Sequence, residues 1–310
     1  MGVMRKRVVF ITFIITLVIS FCHVQYGYSE DQQIGVIMSG NIPYYREIHS
    51  AFTEALKSQG IEAKIALQTP APDVMAWANA ARKFVVLDMD AIVTYGAPIT
   101  HAVLSETSKI PVVFAGVFKS QESGLKGNNV TGVVSNVSIA GLLKNLKGIK
   151  NFSTLGIIYN SAEKSTLNEL SEIERLAGQV GFKPVKFNIK NRGDIQTIKN
   201  VDALYITSSC AVAVCVNDIV KVAKQNKIPT AATMGGLDEQ GVLLTLFADP
   251  AAQGQAVAHM LSRILKGESP SSIPEESPKK IQLVVNLKEA TSLGLTVPFD
   301  ILSVATKVIK

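Results

Sequence analysis

Short apolar runs alternate along the chain with longer segments in which apolar residues recur every third or fourth position. Runs such as Ala91 to Val93 and Val112 to Ala115 are almost uninterrupted, which is the pattern of parallel strands covered on both faces. The intervening segments read as amphipathic helices. Ile48, Phe52, Ala55 and Leu56 form one apolar stripe, and Leu167, Leu170, Ile173, Leu176, Ala177 and Val180 form another. Strand runs separated by helical periods predict βαβ units and doubly wound sheets.

Three strand-like segments occur twice in the same order. Ile34-Gly35-Val36-Ile37-Met38-Ser39 is matched by Leu155-Gly156-Ile157-Ile158-Tyr159-Asn160. Asp90 to Tyr95 is matched by Asp202 to Thr207, and Lys109-Ile110-Pro111 by Lys227-Ile228-Pro229. Two copies of one unit predict an α/β protein of two doubly wound parallel-sheet lobes. An apolar strand from Val242 to Phe247, a helix from about Pro250 to Lys266 and a strand from Ile281 to Asn286 follow the second copy. They fit a chain that crosses between lobes three times, near Gly116 to Phe118, near Phe247 and near Val284. The expected division is residues 30–116 plus 249–280 in the N-terminal lobe and 117–248 plus 281–310 in the C-terminal lobe. Ligands of such sheets bind beyond the carboxyl ends of the strands, so two facing sheets on a three-crossing hinge define a cleft that closes on its ligand.

Composition agrees with a large core: of 310 residues 47% are hydrophobic and 18% charged. The formal net charge of +6 changes meaning once the N-terminus is considered. Arg5, Lys6 and Arg7 precede an uncharged run from Val8 to Cys22 and then Gly27-Tyr28-Ser29, the layout of a signal peptide over residues 1–29 cleaved before Glu30. The run is shorter than the roughly 20 apolar residues that span a bilayer. Three of the 31 basic residues lie in this segment, and the rest carries 28 against 25 acidic ones. No basic cluster interleaved with aromatics remains, so no nucleic-acid partner is expected. The predicted location is periplasmic or otherwise extracytoplasmic.

The strand ends supply the candidate binding residues: Ser39, Gly40, Asn41, Gly96, Ala97, Asn160, Ser161, Ser208, Ser209 and Gly235. Small residues admit a ligand close to the backbone, and hydroxyls with helix N-termini suit a polar or anionic head. The same residue types also cap helices and close turns in any α/β protein. Tyr44, Tyr45, Tyr95, Phe118 and Phe247 fall near the expected mouth or crossings, in a chain with 6% aromatics, and offer flat faces to an apolar body. Tyr95 and Ser208 end repeat-related strands and are expected to face each other across the cleft. Cys210 and Cys215 allow either a disulfide or two buried thiols. His49, His101 and His259 lack metal-ligand spacing, and no cofactor is implied. Ser161-Ala162-Glu163-Lys164 matches S-x-x-K without its companion motifs, and G-x-S-x-G, G-x-G-x-x-G and the P-loop are absent, so no enzyme is predicted.

Gly127-Asn128-Asn129-Val130-Thr131-Gly132-Val133 is similar to the GGNVTGV turn of the substrate-binding proteins of bacterial ABC importers, in the group that includes tryptophan- and tyrosine-type binders. Val285-Asn286-Leu287-Lys288-Glu289-Ala290, followed by Leu293-Gly294-Leu295-Thr296-Val297-Pro298, resembles that family's closing signature. The resemblance implies a type I periplasmic-binding-protein fold and a monomer. It also implies an ABC permease as partner and an aromatic or branched amino acid, or a related carboxylate, as ligand. Two departures bear on the ligand. Many relatives have Asp-Pro where this chain has Val117-Phe118-Lys119-Ser120, and Asp-Asn where it has Ser208-Ser209. Both missing acids are candidates for holding an ammonium, and Asp238 is the nearby acid that stands in for them. A sensory protein that shows its closed form to a chemoreceptor or sensor kinase needs the same cleft and is the alternative reading.

Overall fold

The first sheet is built from β1 (Gln32–Met38), β2 (Ala63–Gln68), β3 (Ala91–Tyr95), β4 (Val112–Phe118) and β5 (Val130–Ser135), in the order β2-β1-β3-β4-β5. The structure, a computed structural model, describes residues 32–118 and 124–310. The expected signal peptide lies outside the described residues. Helix α1 (Pro43–Ser58) covers one face of this sheet, while α2 (Val74–Val86) and α3 (Ala97–Glu106) cover the other. The second sheet contains β6 (Thr154–Tyr159), β7 (Lys183–Asn188), β8 (Ala203–Ile206), β9 (Thr230–Ala232), β10 (Leu244–Ala248), β11 (Ile281–Asn286) and β12 (Lys307–Ile309). Its order is β12-β11-β10-β9-β8-β6-β7, with β10 and β11 antiparallel. Helices α4 (Ile139–Ile149) and α5 (Lys164–Val180) pack on one side. The short α6 (Cys210–Ala213) and α7 (Val216–Gln225) pack on the other.

The repeat extends to individual hydrogen bonds. Asp90, just before β3, accepts the Gln33 N–H at the start of β1 at 2.7 Å. Asp202, just before β8, accepts the N–H groups of Ser153 and Thr154 at the start of β6 at 2.9 and 2.8 Å, and both hydroxyls at 2.9 Å. These donors hold the Asp202 carboxyl down at about 2. Its contribution is therefore complete above about pH 4 and is lost as pH falls through 2. Because the carboxylate is largely solvated, Asp202→Ala is expected to cost only about 1–2 kcal/mol, or about 3–6 °C in a thermal melt at neutral pH. The difference from the parent should vanish near pH 2.

The first crossing lies later than the sequence pattern placed it. After β4 the chain returns to the same sheet as β5, and only beyond Ser135 does it enter the second lobe. Gly132 is the physical reason. A Cβ at that position would run into the Phe114 carbonyl oxygen, so glycine lets β5 lie directly against β4. Residues 124–135 thus belong to the first lobe. The second crossing follows Ala248 into α8 (Pro250–Leu265), which packs on α1. At the contact Gly254 sits against the backbone of Ile48 and Phe52. The third crossing precedes Ile281, after Glu276 has bridged to Val133 of β5. The C-terminal segment completes the second lobe with α9 (Leu287–Ser292), α10 (Phe299–Val304) and β12.

Candidate functional site

On the first lobe, β1 and β3 end side by side, and the Ser39 N–H donates to the Tyr95 carbonyl at 2.9 Å. Ser39 is wholly buried. Its hydroxyl oxygen accepts the Ile99 N–H at 3.2 Å and so caps α3, while its carbonyl accepts the Trp77 indole N–H at 2.8 Å. Gly96 begins α3 at φ 99°, in the left-handed region. A side chain there would meet the Tyr45 hydroxyl at 2.5 Å and the Ser39 hydroxyl at 2.7 Å, so glycine is required on both counts. Ala97 is buried in the first turn of α3, and Asn41 accepts from Arg46 at 2.8 Å on the exposed rim. Tyr95 does not look into the cleft. Its ring stacks on Tyr45 with centroids 6.4 Å apart, and its hydroxyl lies 3.4 Å from His49 Nδ1 beneath α1. Phe118 is buried and joins the apolar cluster of the second lobe.

On the second lobe, Asn160 donates to the Ile189 carbonyl at 2.9 Å and accepts the Ala162 N–H at 2.8 Å. The Ser161 hydroxyl accepts from Asn188 at 2.9 Å. Two buried carboxylates dominate this end. Glu169 accepts hydrogen bonds from the Tyr205 hydroxyl at 2.5 Å, the Thr233 hydroxyl at 2.7 Å, the Ser208 hydroxyl at 2.7 Å and the Ser208 N–H at 2.8 Å. Glu163 accepts from the Ser209 hydroxyl at 2.6 Å and from the N–H groups of Cys210 and Ala211 at 3.0 and 2.9 Å. Burial raises both carboxyls above the ordinary range, against the pull of these donors. Ser208 is thus turned toward Glu169 and does not face Tyr95.

Sequence reasoning missed Glu163, Glu169 and Trp77. Glu169 carries a readable signal, since an acid at the spacing of Ile173 and Leu176 interrupts a buried stripe. Asp238 lies apart from the two glutamates. Its carboxylate accepts the Gly236 N–H at 3.1 Å and pairs with Lys307 at 3.7 Å. Cys210 and Cys215 are free thiols in a segment where the helix breaks between α6 and α7.

The lobes touch where the strand ends meet. The Tyr45 hydroxyl lies 3.4 Å from Cys210 Sγ, and Gly40 stands opposite Cys210. Gly235 leaves no room for a side chain between Tyr44 of the first lobe and Phe247 of the second. Tyr44 itself donates to the Ala248 carbonyl at 2.9 Å and contacts Gln253 at 2.5 Å, beside the second crossing. On the opposite face of the cleft a chamber of about 340 Å³ opens between α2 and α3 of the first lobe and the start of α5.

Two Rossmann-like lobes, three connections and a cleft at their strand ends define a type I periplasmic-binding-protein fold. Residues 33–309 match the sequence profile of the ABC transporter substrate binding protein family, and the chain belongs to that family. It is 23% identical over 273 residues to a tyrosine-binding protein of Clostridioides difficile, covering 83% of this chain and 79% of that one. A conserved domain protein from Vibrio cholerae has a similar structure, with a TM-score of 0.86 at 24% identity over 90% of this chain and 100% of the other. The L-Trp complex of an ABC domain from Streptococcus pneumonia gives 0.85 at 23% identity, again over 90% and 100%. A ligand-free, open substrate binding protein from Clostridium difficile gives 0.65 at 25% identity over 90% and 99%.

Proposed function

We propose that this protein is the extracytoplasmic receptor of an importer. It captures an amino acid or related carboxylate between its lobes, closes about the three connections and hands the closed form to a membrane permease, with no bond made or broken. The contact that carries this reading is Tyr45 against Cys210, which joins the strand ends of two separately built sheets through side chains alone. Such a contact can part without disturbing either lobe. The tyrosine- and tryptophan-binding relatives support an aromatic ligand. An ammonium-bearing ligand has no acid waiting for it at Asp238, which is engaged with Lys307.

Cys210 provides the test. It is fully buried, and burial pushes its thiol pKa well up, so it should react slowly while the lobes are together. In a variant with Cys22 and Cys215 changed to serine, ligands from a thermal-shift screen of amino acids and aryl carboxylates should slow alkylation of Cys210 and reduce the radius of gyration in solution scattering. A ligand that binds at saturation while changing neither quantity would sink the closure mechanism.

A further inference from the structure

Tyr45 meets Cys210 across the lobes, and the residue before it, Tyr44, is anchored in a buried polar cluster at the hinge. At the centre of that cluster is Gln253, wholly buried in the first turn of α8. Its Oε1 accepts the Gly116 N–H at 2.9 Å. Its Nε2 donates to the Tyr44 hydroxyl at 2.5 Å and reaches the Ala248 carbonyl at 3.3 Å. The Tyr44 hydroxyl donates in turn to the same carbonyl at 2.9 Å. Ser135, the last residue of β5 before the first crossing, also approaches that hydroxyl. One amide thus gathers β4, α1 and the last residue of β10.

The same amide bears on Tyr45 from two sides. Tyr44 fixes the turn of α1 that carries it. Gly116, at φ 64° in the left-handed region, packs on the Tyr45 ring so closely that a Cβ there would stand 2.7 Å from it. The crossings beside the amide are braced as well. Asp249 caps α8 by accepting the Ala252 N–H at 2.9 Å. It also accepts from Gln282 at 2.6 Å and pairs with Lys280 at 3.0 Å, which ties the second and third crossings together. A buried amide costs free energy unless its polar atoms are bonded, and an apolar side chain of the same shape would fill the space without that cost. What the amide adds is one defined arrangement of its partners.

We propose that Gln253 is the positioning residue of the hinge: it fixes the end of β10 against α1 and thereby sets Tyr45 against Cys210. This inference rests on the lobes parting at the Tyr45–Cys210 contact, as the receptor reading requires. Hydrogen bonds at the hinge then control a contact at the strand ends in which Gln253 takes no part.

The test needs no ligand. In the background with Cys22 and Cys215 changed to serine, the rate at which Cys210 reacts with a pyridyl disulfide, taken relative to the parent, reads how often the contact parts. Tyr44→Phe, which keeps the ring, should raise that rate about three- to tenfold, the worth of one hydrogen bond. Gln253→Glu should do the same near about pH 8, because a carboxylate cannot donate to Tyr44 and draws its hydroxyl away from Ala248. Burial raises such a carboxyl, and its protonated form regains a carbonyl for Gly116 and an O–H for Tyr44, so the excess rate should disappear toward about pH 5. Asp202→Ala, which weakens the second lobe away from the hinge, should leave the Cys210 rate within about twofold of the parent. Parent-like rates in both hinge variants overturn the proposal. An equal rise in Asp202→Ala also overturns it, by tracing the exposure to a general loss of stability. An excess in Gln253→Glu that persists in acid overturns the role of the amide. Ligand protection of Cys210 separates this from the receptor reading. Protection in the parent with parent-like hinge variants leaves closure standing and removes the pivot. Faster hinge variants with no protection by a bound ligand keep the pivot and remove closure.

Discussion

Glu169→Ala should lower stability by about 2–4 kcal/mol at neutral pH. The carboxylate is buried without a cation and is held by four donors from Tyr205, Ser208 and Thr233. Its removal orphans the Ser208 N–H and empties a polar pocket. The loss stays below the upper end for a buried charge because the Tyr205 and Thr233 hydroxyls are 2.9 Å apart and can satisfy each other. In a protein of this size the melting temperature should fall by about 5–15 °C. The sign of the pH dependence is opposite to that at Asp202. Burial raises the Glu169 carboxyl in the folded state, so its contribution to stability is fully present below the unfolded value near 4.5 and fades as pH rises through the raised one. Stability should therefore increase as the solution is acidified through the raised value toward 4.5. Glu169→Gln, which keeps the shape and cannot ionise, should flatten that slope. Denaturant titrations across this range measure both effects, and a slope unchanged by Glu169→Gln would assign it to another group.

The architecture was readable because it depends on features that one sequence displays directly. Continuous apolar runs marked the strands, and the duplicated Asp before β3 and β8 marked the repeat, which the structure extends to matching hydrogen bonds. The misplaced first crossing has a different origin. The residues from Gly127 to Val133 look like a turn, yet they contain a strand whose place beside β4 depends on the missing side chain of Gly132, a relation between distant residues. Side-chain direction was the other gap. Tyr95 and Ser208 do end equivalent strands, but Tyr95 turns under α1 to reach Tyr45 and His49, and Ser208 turns toward Glu169. Leu167 belongs to the apolar stripe that the sequence predicts for α5. It is 37% exposed, while Thr166 and Glu169 are wholly buried in its stead. Hydrophobicity alone points to Leu167, whereas the hydroxyls and the free N–H at the end of β8 require an acceptor at Glu169.

Gly235→Leu should reduce ligand affinity between about 5- and 150-fold while leaving each lobe folded. Even the first carbon of a side chain at this position would stand 2.8 Å from both the Tyr44 and Phe247 rings. Tyr44 cannot swing aside, because its hydroxyl is held by the Ala248 carbonyl and by Gln253, which in turn accepts the Gly116 N–H at 2.9 Å. The strain of about 1–3 kcal/mol would then be relieved by parting the lobes, so it falls on the closed state and weighs against every ligand that needs closure. Position 235 touches neither Glu169 nor the chamber at Trp77, which makes the loss of affinity a matter of population and not of a deleted contact. The variant should also expose Cys210 to alkylation without ligand and keep it reactive at ligand concentrations that protect the parent. Calorimetric titration, thiol kinetics and a thermal melt on the same preparation separate the outcomes. Weakened binding with a parent-like melt and a reactive thiol places the effect on closure, whereas an early melt places it in the packing of Phe247. Parent-like affinity and thiol protection would mean that Tyr44 and Gly235 stay together whether or not ligand is bound, and that the lobes move about some other contact.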